Sequence, residues 1–99
     1  MVIKINDDEY YKLGELIEIF DGCYVDNKEV NCFSNIKQYI DNETDINSIC
    51  ESQREDILKQ LYESKDWLES LNVSIEMVDK LLKYFVLVWI ELDIWYFQP

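Results

Sequence analysis

Apolar residues recur at intervals of three and four over most of this chain, which predicts a mainly α fold: a small helical bundle of four to five helices. Tyr10, Leu13, Leu16, Ile17 and Phe20 gather on one side of a first helix over about residues 7–20. Asn6 is placed as its N-cap, Glu9 completes a capping box at the third helical position, and Ile5 and Tyr10 form a hydrophobic staple. Asp21-Gly22 supplies the stop. Ser34 is expected to cap a short helix that turns Ile36, Tyr39 and Ile40 inward. After the interruption at Asp41-Asn42-Glu43-Thr44, the rhythm resumes with Ile46, Ile49 and Cys50.

Ser52 and Glu55 read as a second capping box, opening a long helix whose face carries Ile57, Leu58, Leu61, Leu68 and Leu71. Ser74, flanked by Val73 and Val78, opens a final helix with Leu81, Leu82, Phe85, Val86, Trp89 and Leu92. Residues 84–97 are rich in strand formers, yet no Gly or Pro breaks the preceding helical pattern, so helix is preferred there. Strand is expected at most in two places. Ile3 and Ile5 lie on one side of an extended N-terminal segment with Lys4 on the other, and Asp26-Asn27-Lys28 is a turn signal for a loop or small hairpin near residues 23–33.

Composition narrows what such a fold can do. Ninety-nine residues suit one domain, and 48% hydrophobic and 14% aromatic content supports a packed core despite a net charge of -12. The acid therefore belongs on a folded surface. The longest apolar run, seven residues ending at Ile90, is far short of the roughly 20 needed to span a bilayer. Asp7, Asp8 and Glu9 interrupt any secretory signal pattern, which with the cysteines below points to the cytoplasm. So negative a chain repels phosphate and anionic lipid, so neither nucleic acid nor membrane is an expected direct ligand.

Cys23, Cys32 and Cys50 are odd in number and form no CxxC pair, and acidic or apolar neighbours suggest buried, inert thiols. The absence of His removes His-dependent nucleophiles, His acid-base work and the commonest metal ligand. Neither phosphate-binding glycine pattern occurs. A calcium loop counted from Asp41 would need Gly and Glu where Ile46 and Ser52 stand. No enzyme activity and no cofactor is expected.

The acid is the informative feature. Residues 1–51 hold twelve acids and four bases, net -8, while residues 52–99 hold nine and five, net -4. Lys59, Lys80 and Lys83 follow Glu55, Glu76 and Asp79 by four positions, which predicts internal pairing on the later helices. On the first helix Asp8, Glu15 and Glu18 fall opposite the apolar stripe beside Tyr11 and Ile19, with Lys12 to offset them. Carboxylates one turn apart lie about 5–6 Å from each other at Cβ, a spacing that can imitate backbone phosphates in a basic groove. Asp41, Glu43 and Asp45 are candidates to extend this ridge.

In size and charge alone the chain resembles nucleic-acid mimics, phage-encoded anti-CRISPR proteins and immunity proteins of nuclease toxins. The expected partner is a basic protein, a nuclease or another nucleic-acid-binding effector. The alternative is a helical adaptor, or a homodimer, docking through the terminal aromatics Trp95, Tyr96 and Phe97.

Overall fold

The computed structural model describes the backbone of residues 1–97 and the side chains of residues 1–86. Among these residues four α-helices occur: α1 (Asp7–Ile19), α2 (Cys32–Asp41), α3 (Glu51–Ser70) and α4 (Glu76–Phe97). A two-stranded antiparallel hairpin, β1 (Tyr24–Val25) and β2 (Lys28–Glu29), joins α1 to α2, and a 3-10 turn, Ile46–Ser48, precedes α3. The mainly α reading thus holds, with the small hairpin where the turn signal stood. The expectations for Trp89, Leu92 and Trp95 to Phe97 concern side chains outside the described residues.

The first helix begins as its sequence dictates. Asn6 Oδ1 accepts from the Glu9 amide at 2.8 Å, and the Asn6 amide donates to Glu9 Oε1 at 3.0 Å, so two donors that a helix start leaves open are satisfied. Glu9 also meets Lys80, which ties this cap to α4. In the hairpin, Tyr24 pairs with Glu29 and Val25 with Lys28. Asp26 (φ 50°) and Asn27 (φ 66°) make the tight turn in the left-handed region that these two residue types tolerate. The N-terminal segment makes one antiparallel bridge, Val2 to Asp45, in place of a strand.

Two helix starts differ from the local signals. α2 begins at Cys32, so Ser34 sits inside its first turn and does not cap it. The acceptor comes from elsewhere: Oε1 of buried Gln60 on α3 takes the amides of Asn31 and Cys32 at 2.9 and 2.8 Å. A long-range side chain here replaces the serine. α3 begins at Glu51 with Cys50 as N-cap, so Ser52 lies one residue inside the helix, its hydroxyl 3.3 Å from Cys50 Sγ.

Helix ends follow a common device. After α3, Asn72 (φ 57°) lets the Val73 amide return to the Leu68 carbonyl at 3.0 Å and its own amide reach Glu69 at 3.1 Å. After α2, Glu43 (φ 50°) occupies the same position, with Thr44 donating to Tyr39 at 2.8 Å and Glu43 to Ile40 at 3.1 Å. Glycine is the usual residue there because a Cβ is strained at positive φ. Glu43→Gly is therefore expected to stabilise the fold by about 0.5–1 kcal/mol, read from the urea midpoint.

The buried side chains form one cluster to which every helix contributes. Leu13, Phe33, Ile36, Ile46, Leu61, Leu68, Val78, Leu81 and Phe85 are almost completely excluded from solvent. Phe20 stacks on Phe33 with centroids 5.4 Å apart, joining the end of α1 to the start of α2. Each such side chain stabilises the fold by about 1.5–3 kcal/mol. The tight turn at Asn72 folds α4 back against α3, and Leu71, placed inward by periodicity, is instead the exposed C-cap beyond the last buried turn.

The lysines of the later helices depart from the helical i to i+4 pattern that Asp8–Lys12 and Lys37–Asp41 follow. Lys59 meets Asp26 in the hairpin turn, Lys80 of α4 meets Glu9 of α1, and Asp79 of α4 meets Lys65 of α3 at 3.0 Å, so each pair joins two elements rather than two turns of one helix. With Lys28 3.5 Å from Asp56, two pairs fasten the hairpin to α3. Exposed pairs contribute little to stability, so their main effect is to position the hairpin.

Hydrogen bonds and cations hold four carboxylates below their ordinary values: Glu9 by the Asn6 amide and Lys80, Asp26 by Lys59, Asp41 by Tyr10 and Lys37, and Asp45 by the terminal amine and the Asn47 amide. A depressed carboxylate stabilises the fold above its unfolded value and loses that contribution as pH falls through the folded one. Denaturant titrations are thus expected to show this contribution present at pH 6 and draining away below about pH 4.

Candidate functional site

Asp8, Tyr11, Glu15, Glu18 and Ile19 share one exposed stripe of α1. Leu13 and Leu16 anchor the opposite side of the helix in the core, so the stripe is held rigidly outward. Tyr11 is 68% exposed and Ile19 45%, large fractions for an aromatic and a branched aliphatic side chain. Lys12 lies on the same stripe, 3.4 Å from Asp8. Among the described residues Glu15 and Glu18 take no part in an ion pair, unlike Asp8, and no Lys or Arg occupies the last turn of α1. The negative end of the helix dipole therefore adds to the field at Glu18.

The loop acids are placed differently. Asp41 accepts from the Tyr10 hydroxyl at 2.8 Å and from Lys37 Nζ at 3.0 Å, and Lys37 lies 5.3 Å from the centre of the Tyr10 ring. This cluster clips the end of α2 to the start of α1 and raises the Lys37 pKa, chiefly through Tyr10 and Asp41. Tyr10 is two residues, about 200°, around the helix from Asp8, so Asp41 stands on the flank of α1 away from the ridge. Asp45 caps the 3-10 turn by accepting the Asn47 amide at 2.9 Å, and lies 2.7 Å from the terminal amine of Met1. Glu43 occupies the left-handed position that closes α2. The structure thus brings the five α1 residues together and gives each loop acid a local task.

A second feature was not legible in the periodicity. Between the hairpin and α3 lies a cavity of about 380 Å³, lined by Phe20, Cys23, Tyr24, Val25, Asp26, Val30, Glu63, Ser64 and Trp67. Tyr24 and Trp67 remain 67% and 55% exposed. Trp67 lies one position before the buried Leu68, off the apolar stripe, and that was its only mark in the sequence. Phe20 is the C-cap of α1, so this cavity adjoins the Glu18–Ile19 end of the ridge.

The cysteines divide. Burial pushes the Cys32 thiol up to about 12, which fits an inert side chain, and Cys23 is half-buried with Sγ 3.9 Å from the Ile19 carbonyl. Cys50, expected to be buried, is exposed, and the Ser52 hydroxyl 3.3 Å from its Sγ, with the backbone at the start of α3, lowers its pKa. Among the described residues no group of Cys, Asp and Glu is arranged to hold a metal ion, and no helix is long and apolar enough to cross a membrane. Compared with models of known protein families, with curated proteins and with solved structures, the chain matches none.

Proposed function

We propose that this chain is a non-enzymatic, stoichiometric inhibitor that binds a basic, nucleic-acid-handling protein through the acidic ridge of α1 and competes there with nucleic acid. The observation that carries the reading is the pairing of two uncompensated carboxylates, Glu15 and Glu18, with exposed Tyr11 and Ile19 on one rigid stripe of a chain of net charge -12. Carboxylates spaced by helical turns attract lysines and arginines that otherwise hold phosphates, which speeds encounter. Tyr11 and Ile19 supply apolar area whose burial slows dissociation. Asp41 and Asp45, neutralised by neighbours, add little to such a field at close range. The partner is a nuclease or a comparable effector that presents a cationic groove.

The test uses salt. Steering between exposed charges is screened over about 10 Å at 0.1 M salt, and phosphate-type contacts weaken steeply with ionic strength. Immobilised protein is expected to capture a basic nucleic-acid enzyme at about 50 mM salt and release it by about 300 mM, and the captured protein is expected to lose duplex DNA when this chain is added. Capture that survives the high-salt wash, or a ternary complex with DNA, would count against the reading.

A further inference from the structure

The cavity between the hairpin and α3 has a distinct chemistry. Its walls are aromatic and aliphatic: Tyr24 from β1, Trp67 from α3, and Phe20 and Val30 between them. Ser64 also lines it, only 2% exposed, and its Oγ has no hydrogen-bond partner among the described residues. Two carboxylates complete the lining. Asp26 is occupied by Lys59, whereas Glu63 makes no ion pair among the described residues. The C-cap of α1 also lies here, in a helix whose last turn holds no basic residue, so the backbone adds negative potential.

These features suit one kind of occupant. A guanidinium is planar, carries five donors, stacks on aromatic faces and is less strongly hydrated than an ammonium. It can lie against Trp67 or Tyr24 and meet the Glu63 carboxylate, while its aliphatic stem covers Val30. The volume lies at the low end of the range for bound ligands and suits a single side chain.

We propose that the groove between the β-hairpin and α3, walled by Tyr24 and Trp67 and floored by Ser64, receives an arginine side chain of the basic partner protein. The identity of that partner rests on the function proposed above, but the guanidinium site itself is testable without it. Isotope-labelled protein is titrated with the blocked tripeptide Ac-Gly-Arg-Gly-NH2, with its lysine counterpart and with its neutral citrulline counterpart, at low salt. The arginine peptide is expected to give saturable shifts of the Trp67 indole N–H and of the Tyr24 and Ser64 amides, with weaker effects from lysine and none from citrulline. Glu63→Gln is expected to weaken arginine binding about two- to fivefold, and Trp67→Leu by a similar factor. Glu15→Gln with Glu18→Gln is expected to leave it unchanged, which separates this site from the ridge. Equal binding of citrulline and arginine, shifts spread over the acidic surface, or indifference to both Glu63→Gln and Trp67→Leu would overturn the proposal. Salt-sensitive capture of a basic protein in the face of such a result would leave the ridge reading standing and remove only this pocket.

Discussion

Gln60→Ala is expected to destabilise the fold by about 2–4 kcal/mol, more than any single surface substitution. Gln60 is 6% exposed, and its Oε1 is the acceptor for the amides of Asn31 and Cys32 at 2.9 and 2.8 Å. Asn31 itself makes no side-chain cap, so truncation leaves two helix-start donors of α2 without a partner where water has little access. Gln60→Glu retains an acceptor, now charged and facing a helix N-terminus, and is expected to recover most of the loss. Urea unfolding of the three proteins checks the pair. A loss below about 0.5 kcal/mol in the alanine variant would show that α2 starts without help from α3. Because Phe33 and Ile36 are carried on α2 and the hairpin is anchored just before it, this bond also fixes where Tyr24 stands.

The second large effect concerns partner binding. Glu15→Lys with Glu18→Lys is expected to weaken it by more than about 100-fold, since like charges brought together at an interface cost several kcal/mol. Folding is expected to be unharmed: both residues are exposed, and lysine in the last turn of α1 favourably meets the helix dipole where no cation now sits. Melting temperature therefore serves as the control. Tyr11→Ala is expected to act on dissociation and Glu15→Gln with Glu18→Gln mainly on association, so the two contributions separate kinetically.

Much of the architecture was readable because local signals and tertiary packing agree. The Asn6–Glu9 box, the stripe through Leu13 and Leu16, and the Asp26-Asn27 turn specify structure by short-range chemistry, and each appears as read. The starts of α2 and α3 do not follow the nearby serines: the first amide of α2 is served by Gln60, twenty-eight residues from Cys32, and α3 opens after Cys50 with no side-chain cap at all. The partners of Lys59 and Lys80 are not legible within their own helices, since a long side chain chooses among neighbours that only the fold brings close. On the α1 ridge, periodicity alone grouped the residues now found together. Asp41 and Asp45 looked equivalent to Glu15 in composition, but Tyr10, Lys37 and the 3-10 turn had already engaged them. The cavity depends on the hairpin lying against α3, a contact between segments about forty residues apart that no local pattern encodes.

The measurement that tests the central claim most directly is equilibrium displacement of a labelled DNA duplex from the captured basic partner, by wild-type protein and by the Glu15→Lys, Glu18→Lys variant, at about 50 mM salt. Stoichiometric displacement by the wild type, with at least a 100-fold weaker effect from the folded variant, is the predicted result. Equal displacement by both proteins, or a wild type that binds the partner and leaves the DNA in place, would contradict it.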